Sequence, residues 1–206
     1  MRVTHVIWLA IFIAVFIWSA IAPKDRFTWF LEVLPALIGL ALVVGTRAKF
    51  PLTPLLSILI LVHCVVLMVG GHYTYAEVPL FDSMKGWFGF ERNNYDKVGH
   101  LAQGFIPAIL AREILMRKAV VKTGAWLNLF VVSICLAFSA FYELIEWWVA
   151  AATGENAEAF LGTQGYAWDT QSDMMFALIG AISALVLLAR LHDRQLAALK
   201  RRLANG

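Results

Sequence analysis

The chain has 206 residues, of which 61% are hydrophobic and only 15% charged, with a formal net charge of +3 and a mean hydropathy of +0.73. Soluble domains carry about 25% charged residues, so this composition excludes an ordinary water-soluble enzyme and predicts an all-α integral membrane protein. The small basic excess does not indicate nucleic-acid binding, because in such a chain cations are read by their position relative to the spans.

Segments of about 17 to 25 apolar residues can cross a bilayer core of ~30 Å. They fall near 5–22, 30–46, 52–71, 96–116, 125–150 and 171–190, which predicts a polytopic six-helix transmembrane bundle forming one domain over 1–206. The first follows Arg2 and ends near "SAIAP", as a secretory signal would. The run Val6 to Ala22 is longer than a signal core of about 7–15 residues, however, and Pro23 would occupy the cleavage junction, so it reads as a span. Cys64 and Cys135 lie inside apolar runs, which predicts small buried residues and no disulfide framework.

After the third span, "GGHYTYAEVP" (70–79) brings His72, Tyr75 and Glu77, and "KGWFGFERNNY" (85–95) predicts an interfacial re-entrant or amphipathic piece and not a cofactor box. The fourth span opens with "RNNYDKVGHLAQGF" (92–105). Here Asp96 and His100 stand one helical turn apart on a face that Gln103 continues. The fifth carries Glu143 and Glu146 in "FSAFYELIEWW" (138–148). At ~1.5 Å per residue, Glu143 lies about 26 Å along from Trp126, near the far limit of the hydrocarbon. The sixth opens with "GYAWDTQSDMM" (165–175), placing Asp169 and Asp173 one turn apart above a small-residue stripe of Ala177, Gly180, Ala181 and Ala184.

Cations set the orientation. Arg2, Arg47, Lys49, Arg112, Arg117, Lys118, Lys122, Arg190, Arg194, Lys200, Arg201 and Arg202 fall on one side of the predicted spans, and Lys24, Arg26, Lys85, Arg92 and Lys97 on the other. The richer side is predicted to be the cytoplasm. Both termini then lie inside, and the His72, His100 and carboxylate level faces the periplasm or exterior. The tail "RLHDRQLAALKRRLANG" reads as a basic cytoplasmic extension and His192 as interfacial.

Ionisable residues within spans are costly and are functional candidates by default. One outer pocket is therefore expected to gather His100, Glu143, Glu146 and Asp173 as catalytic residues, these same four with Asp96 and Asp169 as metal ligands, and His72, Tyr75, Glu77 and Gln103 around a substrate. Crowded carboxylates need protons or a cation. Oxygen ligands with an imidazole suit a divalent ion, Mg, Mn, Ca or Zn. Such an ion would polarise a lipid or lipid-linked substrate of the envelope, with a free carboxylate as base. Alternatives are a proton- or cation-coupled transporter and a non-catalytic lipid-binding or structural protein. For Arg92, Asp96 and Lys97 a solvated helix start is the competing account, and for Asp169 an N-cap. No HExxH spacing occurs, and nothing in the sequence sets an oligomeric state.

"GGHYTYAEVP", "RNNYDKVGHLAQGF", "YELIEWW" and "WDTQSDM", in this order, resemble the bacterial inner-membrane YjdF family over nearly the whole chain. That resemblance implies a multi-pass protein of the bacterial cytoplasmic membrane and brings no activity with it. A more distant pattern over the last three spans looks like the VanZ-like membrane proteins: Asp96, Lys97 and His100, then Glu143 or Glu146, then Asp169 and Asp173. Here two extra spans precede that pattern, and the Arg often found before the final acidic pair is missing.

Overall fold

The computed structural model describes residues 3–154 and 158–204. Arg2 of the orientation argument lies outside them. Among the described residues the regular elements are helices: α1 (Val3–Ala20), α2 (Arg26–Thr46), α3 (Pro54–His72), α4 (Pro79–Phe88), α5 (Tyr95–Arg117), α6 (Ala125–Thr153), α7 (Glu158–Leu161) and α8 (Asp169–Ala204). Local chemistry sets several boundaries. Asp25 caps α2 by accepting from the Thr28 amide at 2.6 Å, and Thr53 caps α3 with Pro54 at its first position, where the missing N–H costs nothing. Gly89 ends α4 in the left-handed conformation at φ +69.

Each predicted span coincides with a helix. Four of them, α2, α3, α6 and α8, are long and apolar enough to cross a membrane. The apolar part of α1 is shorter, Thr4–Ala20, and α5 carries the polar opening of the fourth predicted segment. The main departures are at ends: α2 starts at Arg26, and α8 runs unbroken through the basic tail. At 1.5 Å per residue, 36 residues extend about 54 Å, well beyond a hydrocarbon core of ~30 Å. Helix α4 has no buried residue and exposes Leu80, Trp87 and Phe88, as an interfacial piece would.

Helix α5 is central, packed on α8, α6 and α3, while α3 connects it to α1 and α2. One apolar core joins Leu56, Ile109, Val131 and Ala181; another joins Phe12, Val33, Ala36 and Met68. The closest approach is between α5 and α8. A Cβ on Gly104 would sit 1.8 Å from the Ala177 carbonyl oxygen, and one on Gly180 would sit 2.1 Å from that of Leu101. Small residues are needed here because helices in lipid associate through backbone-close packing.

The end of the molecule where α3 begins is tied by a buried polar clasp. Glu113, fully buried on α5, accepts from the Thr53 amide (3.2 Å) and hydroxyl (2.7 Å), from Arg117 Nη1 (2.8 Å) and from His192 Nε2 (3.0 Å). Arg112 Nη1 lies 3.0 Å from His192 Nδ1, and its Nη2 donates to Asp193. A guanidinium only donates, so Nδ1 accepts and the Nε2 proton goes to Glu113. His192 is therefore fully buried between α5 and α8, not interfacial: its two partners are polar groups that only tertiary packing supplies.

Candidate functional site

At the opposite end, where α5 and α8 begin and α6 nears its end, a polar chamber forms. Helix α5 delivers Asp96, Lys97 and His100, α8 delivers Asp169 and Asp173, and α6 delivers Glu143 and Glu146; all seven are buried. His100 Nε2 stands 3.2 Å from Asp96 Oδ1 and 3.7 Å from Asp173 Oδ1, and its Nδ1 is 3.9 Å from Glu143 Oε1. One donor atom each from Asp96, His100 and Asp173 can be chosen so that all lie within 4.8 Å of one another. Glu143 Oε1 is buried without a hydrogen-bond partner among the described residues. Glu146 stands three residues from Glu143 on the same face of α6 and is likewise buried.

Gln103, expected around a substrate, also holds the histidine: its Oε1 is 3.0 Å from His100 Nδ1. Tyr75 is buried with its ring against Gly70 and Gly99, so that a Cβ on either glycine would collide with it. Thr74 and Tyr75 both take left-handed backbone, at φ +55 and +56, which is costly for residues with a Cβ and marks a turn held in place by its surroundings. Two expected members stand apart. His72 directs Nδ1 to the Ser19 carbonyl (3.0 Å) and packs on Trp18, while Glu77 pairs with Lys24 at 2.8 Å in an exposed ion pair. That carboxylate raises the Lys24 pKa through its hydrogen bond and its charge.

The solvated helix start expected for Arg92 and Lys97 is not what forms. Lys97 is buried, and its ammonium contacts Asp173 (2.5 Å), Asp169 (2.7 Å) and Asp96 (3.3 Å). Arg92 bridges Asp169 and Asp96 and also donates to the Gly162 carbonyl. Asp96 of α5 and the α8 carboxylates neutralise both cations, and the α8 partners are more than seventy residues away in sequence. Glu32 on α2 joins the same chamber unforeseen: it is buried and accepts from Tyr142 Oη at 3.2 Å. Its signal was present, a lone acid in the apolar run "FLEVLPALIGLALVV". Acids outnumber bases in the chamber, Glu32, Asp96, Glu143, Glu146, Asp169 and Asp173 against Arg92, Lys97 and His100, so further protons or a cation must balance it.

Long apolar helices around a buried ionisable chamber define a multi-pass membrane protein. Residues 4–194 match the family described as "Predicted membrane protein (DUF2238)", and the chain belongs to that family. It is 50% identical over 182 residues to the inner membrane protein YjdF of Escherichia coli (strain K12), covering 88% of this chain and 87% of that one. The YjdF resemblance of the motifs is thereby established, and the protein is a multi-pass inner-membrane protein; neither match extends the likeness to VanZ-like proteins. No solved structure matches.

Proposed function

We propose that the protein crosses the inner membrane six times with both termini in the cytoplasm, and that its chamber, open to the periplasm, binds a divalent metal ion and acts on a lipid or lipid-linked envelope component. The six-span reading is supported by ties between successive helices at alternate ends: α1 to α2 and α3 through Ser19, α3 to α5 and α8 through Thr53 and Gln195. Most of the cations on the predicted inner side flank the clasp end.

The metal reading is carried by the environment of His100. Donors bound at about 2.1 Å to one ion stand roughly 3.0–3.5 Å apart, close to the Nε2 distances to Asp96 and Asp173. A metal-bound imidazole also characteristically gives its other N–H to an oxygen, the role open to Gln103 Oε1. The unpartnered Glu143 oxygen is a further ligand or the general base. When bound, the ion would supply Lewis acidity toward a phosphoryl or carbonyl oxygen. Lys97 shares Asp173 Oδ1 and would then rest on Asp169 and Asp96, which it already contacts.

The transporter alternative is less well supported. Between chamber and clasp, residues 104–111 of α5 and 174–189 of α8 carry no ionisable side chain, and the two backbones touch there. Elemental analysis of the detergent-purified protein tests the proposal. Stoichiometric metal in the parent chain, lost in Asp173→Asn and reduced in Glu143→Gln, is expected; equal near-zero metal in all three would end it.

A further inference from the structure

Beside the chamber a separate cleft of about 860 Å³ opens between α4, α5, α8 and the two loops that precede α5 and α8. Its size is that of a small-molecule site. Its lining divides in two. Phe81, Phe90, Val98, Leu101 and Phe176 are its apolar lining residues, while Arg92, Lys97, Asn94, Tyr166 and Ser172 are lining residues that carry hydrogen-bond donors. Glu91 is the acid among the lining residues.

Those donors are partly uncommitted. Arg92 Nε is buried without a partner among the described residues, although its other nitrogens hold Asp169, Asp96 and Gly162. The lysine is nine-tenths buried, with its side chain 8% exposed, and it both lines the cleft and reaches Asp173 in the chamber. The Tyr166 ring lies beneath both cations, 5.6 Å from the Arg92 guanidinium and 5.9 Å from the Lys97 ammonium. A cleft with apolar lining and a cluster of donor-bearing residues, edged by Phe81 of a helix that also exposes Trp87 and Phe88, is matched by an amphiphile whose head is an oxyanion.

We propose that this cleft binds the phosphate head and first chain segment of a lipid phosphate, with Arg92 and Lys97 on the phosphate oxygens and Leu101 and Phe176 along the chain. The assignment deepens the proposed function, since it gives the substrate class and the side of entry, and it rests on that reading only for what happens after binding.

The test uses dodecyl phosphate, inorganic phosphate and dodecyltrimethylammonium as probes, titrated calorimetrically into the full chain in dodecyl maltoside with EDTA present. Omitting metal separates failure of the cleft from failure of the metal site, which elemental analysis reads independently. Saturable binding of dodecyl phosphate is expected, at least tenfold tighter than inorganic phosphate and without a counterpart for the ammonium. Leu101→Trp and Ser172→Trp, which add bulk at two lining positions that carry no carboxylate, should each weaken it at least tenfold. Arg92→Gln should do the same, and the two filling variants carry the test if that change unfolds the chain. No saturable binding, binding indifferent to both filling variants, or equal binding of the ammonium would overturn the proposal. Equal binding of inorganic phosphate would overturn its lipid character.

Discussion

Lys97 is the residue on which the chamber's electrostatics turn, because its ammonium occupies the space among Asp96, Asp169 and Asp173 where a cation is needed. Removing one partner of a buried ionic group costs about 3–5 kcal/mol, since the remaining charges stay buried without compensation. Lys97→Met should therefore lower the thermal unfolding temperature in EDTA, and saturating Mn should restore it, because a ligand held only by the folded state stabilises it. Loss of stability without rescue by any divalent ion would count against a metal in the chamber. Glu113 provides the contrast. Its removal leaves Arg117, His192 and Thr53 without their common acceptor, so Glu113→Ala should cost a similar ~3–5 kcal/mol in unfolding measurements. Metal content should not change, as the clasp lies at the other end of α5. Neither role was legible in the sequence. Lys97 and His192 looked like residues of a helix end because their partners are more than seventy positions away.

Among the elements, α5 and α8 decide the geometry, since the Asp96 and His100 pair belongs to one and Asp173 to the other. Gly104 and Gly180 set the spacing between them. In Gly104→Ala the new Cβ meets the backbone oxygen of Ala177, which cannot swing aside as a side chain can, so the helices must part. A loss of about 1–3 kcal/mol or more is expected from such overpacking, together with weakened metal binding as the α5 and α8 donors separate. Gly39→Ala on α2 is the control: a Cβ there meets nothing within 4 Å, so better helix propensity should leave stability unchanged or raise it by up to about 1 kcal/mol. Equal effects of the two substitutions in thermal unfolding would refute the close-packing account. The small-residue stripe of α8 was readable from sequence because it follows the helical period; that its counterpart is Gly104 of α5 was not, since helix pairing has no local signature.

For the whole molecule, the prediction concerns sidedness. A fluorescent protein that matures only in the cytoplasm, fused after Gly206, should fluoresce, and the same protein inserted within Pro79–Phe90 should stay dark; the reverse pattern would invert the chamber toward the cytoplasm. The positions of the six long helices, their apolar character and the bias of cations along the chain were legible in the sequence alone, whereas the short helices α4 and α7 and the full reach of α8 were not. Hydropathy, caps and charge counts are sums over neighbouring residues, so they survive without knowledge of the fold. Tertiary structure alone decided which ionisable groups share a chamber: it admitted Glu32, Arg92 and Lys97, turned Gln103 toward His100, and set His72 and Glu77 aside on partners of their own. The physical reason is that a buried charge is tolerated only beside its compensating group, and the energy of that pairing depends on distances between helices that no single segment specifies.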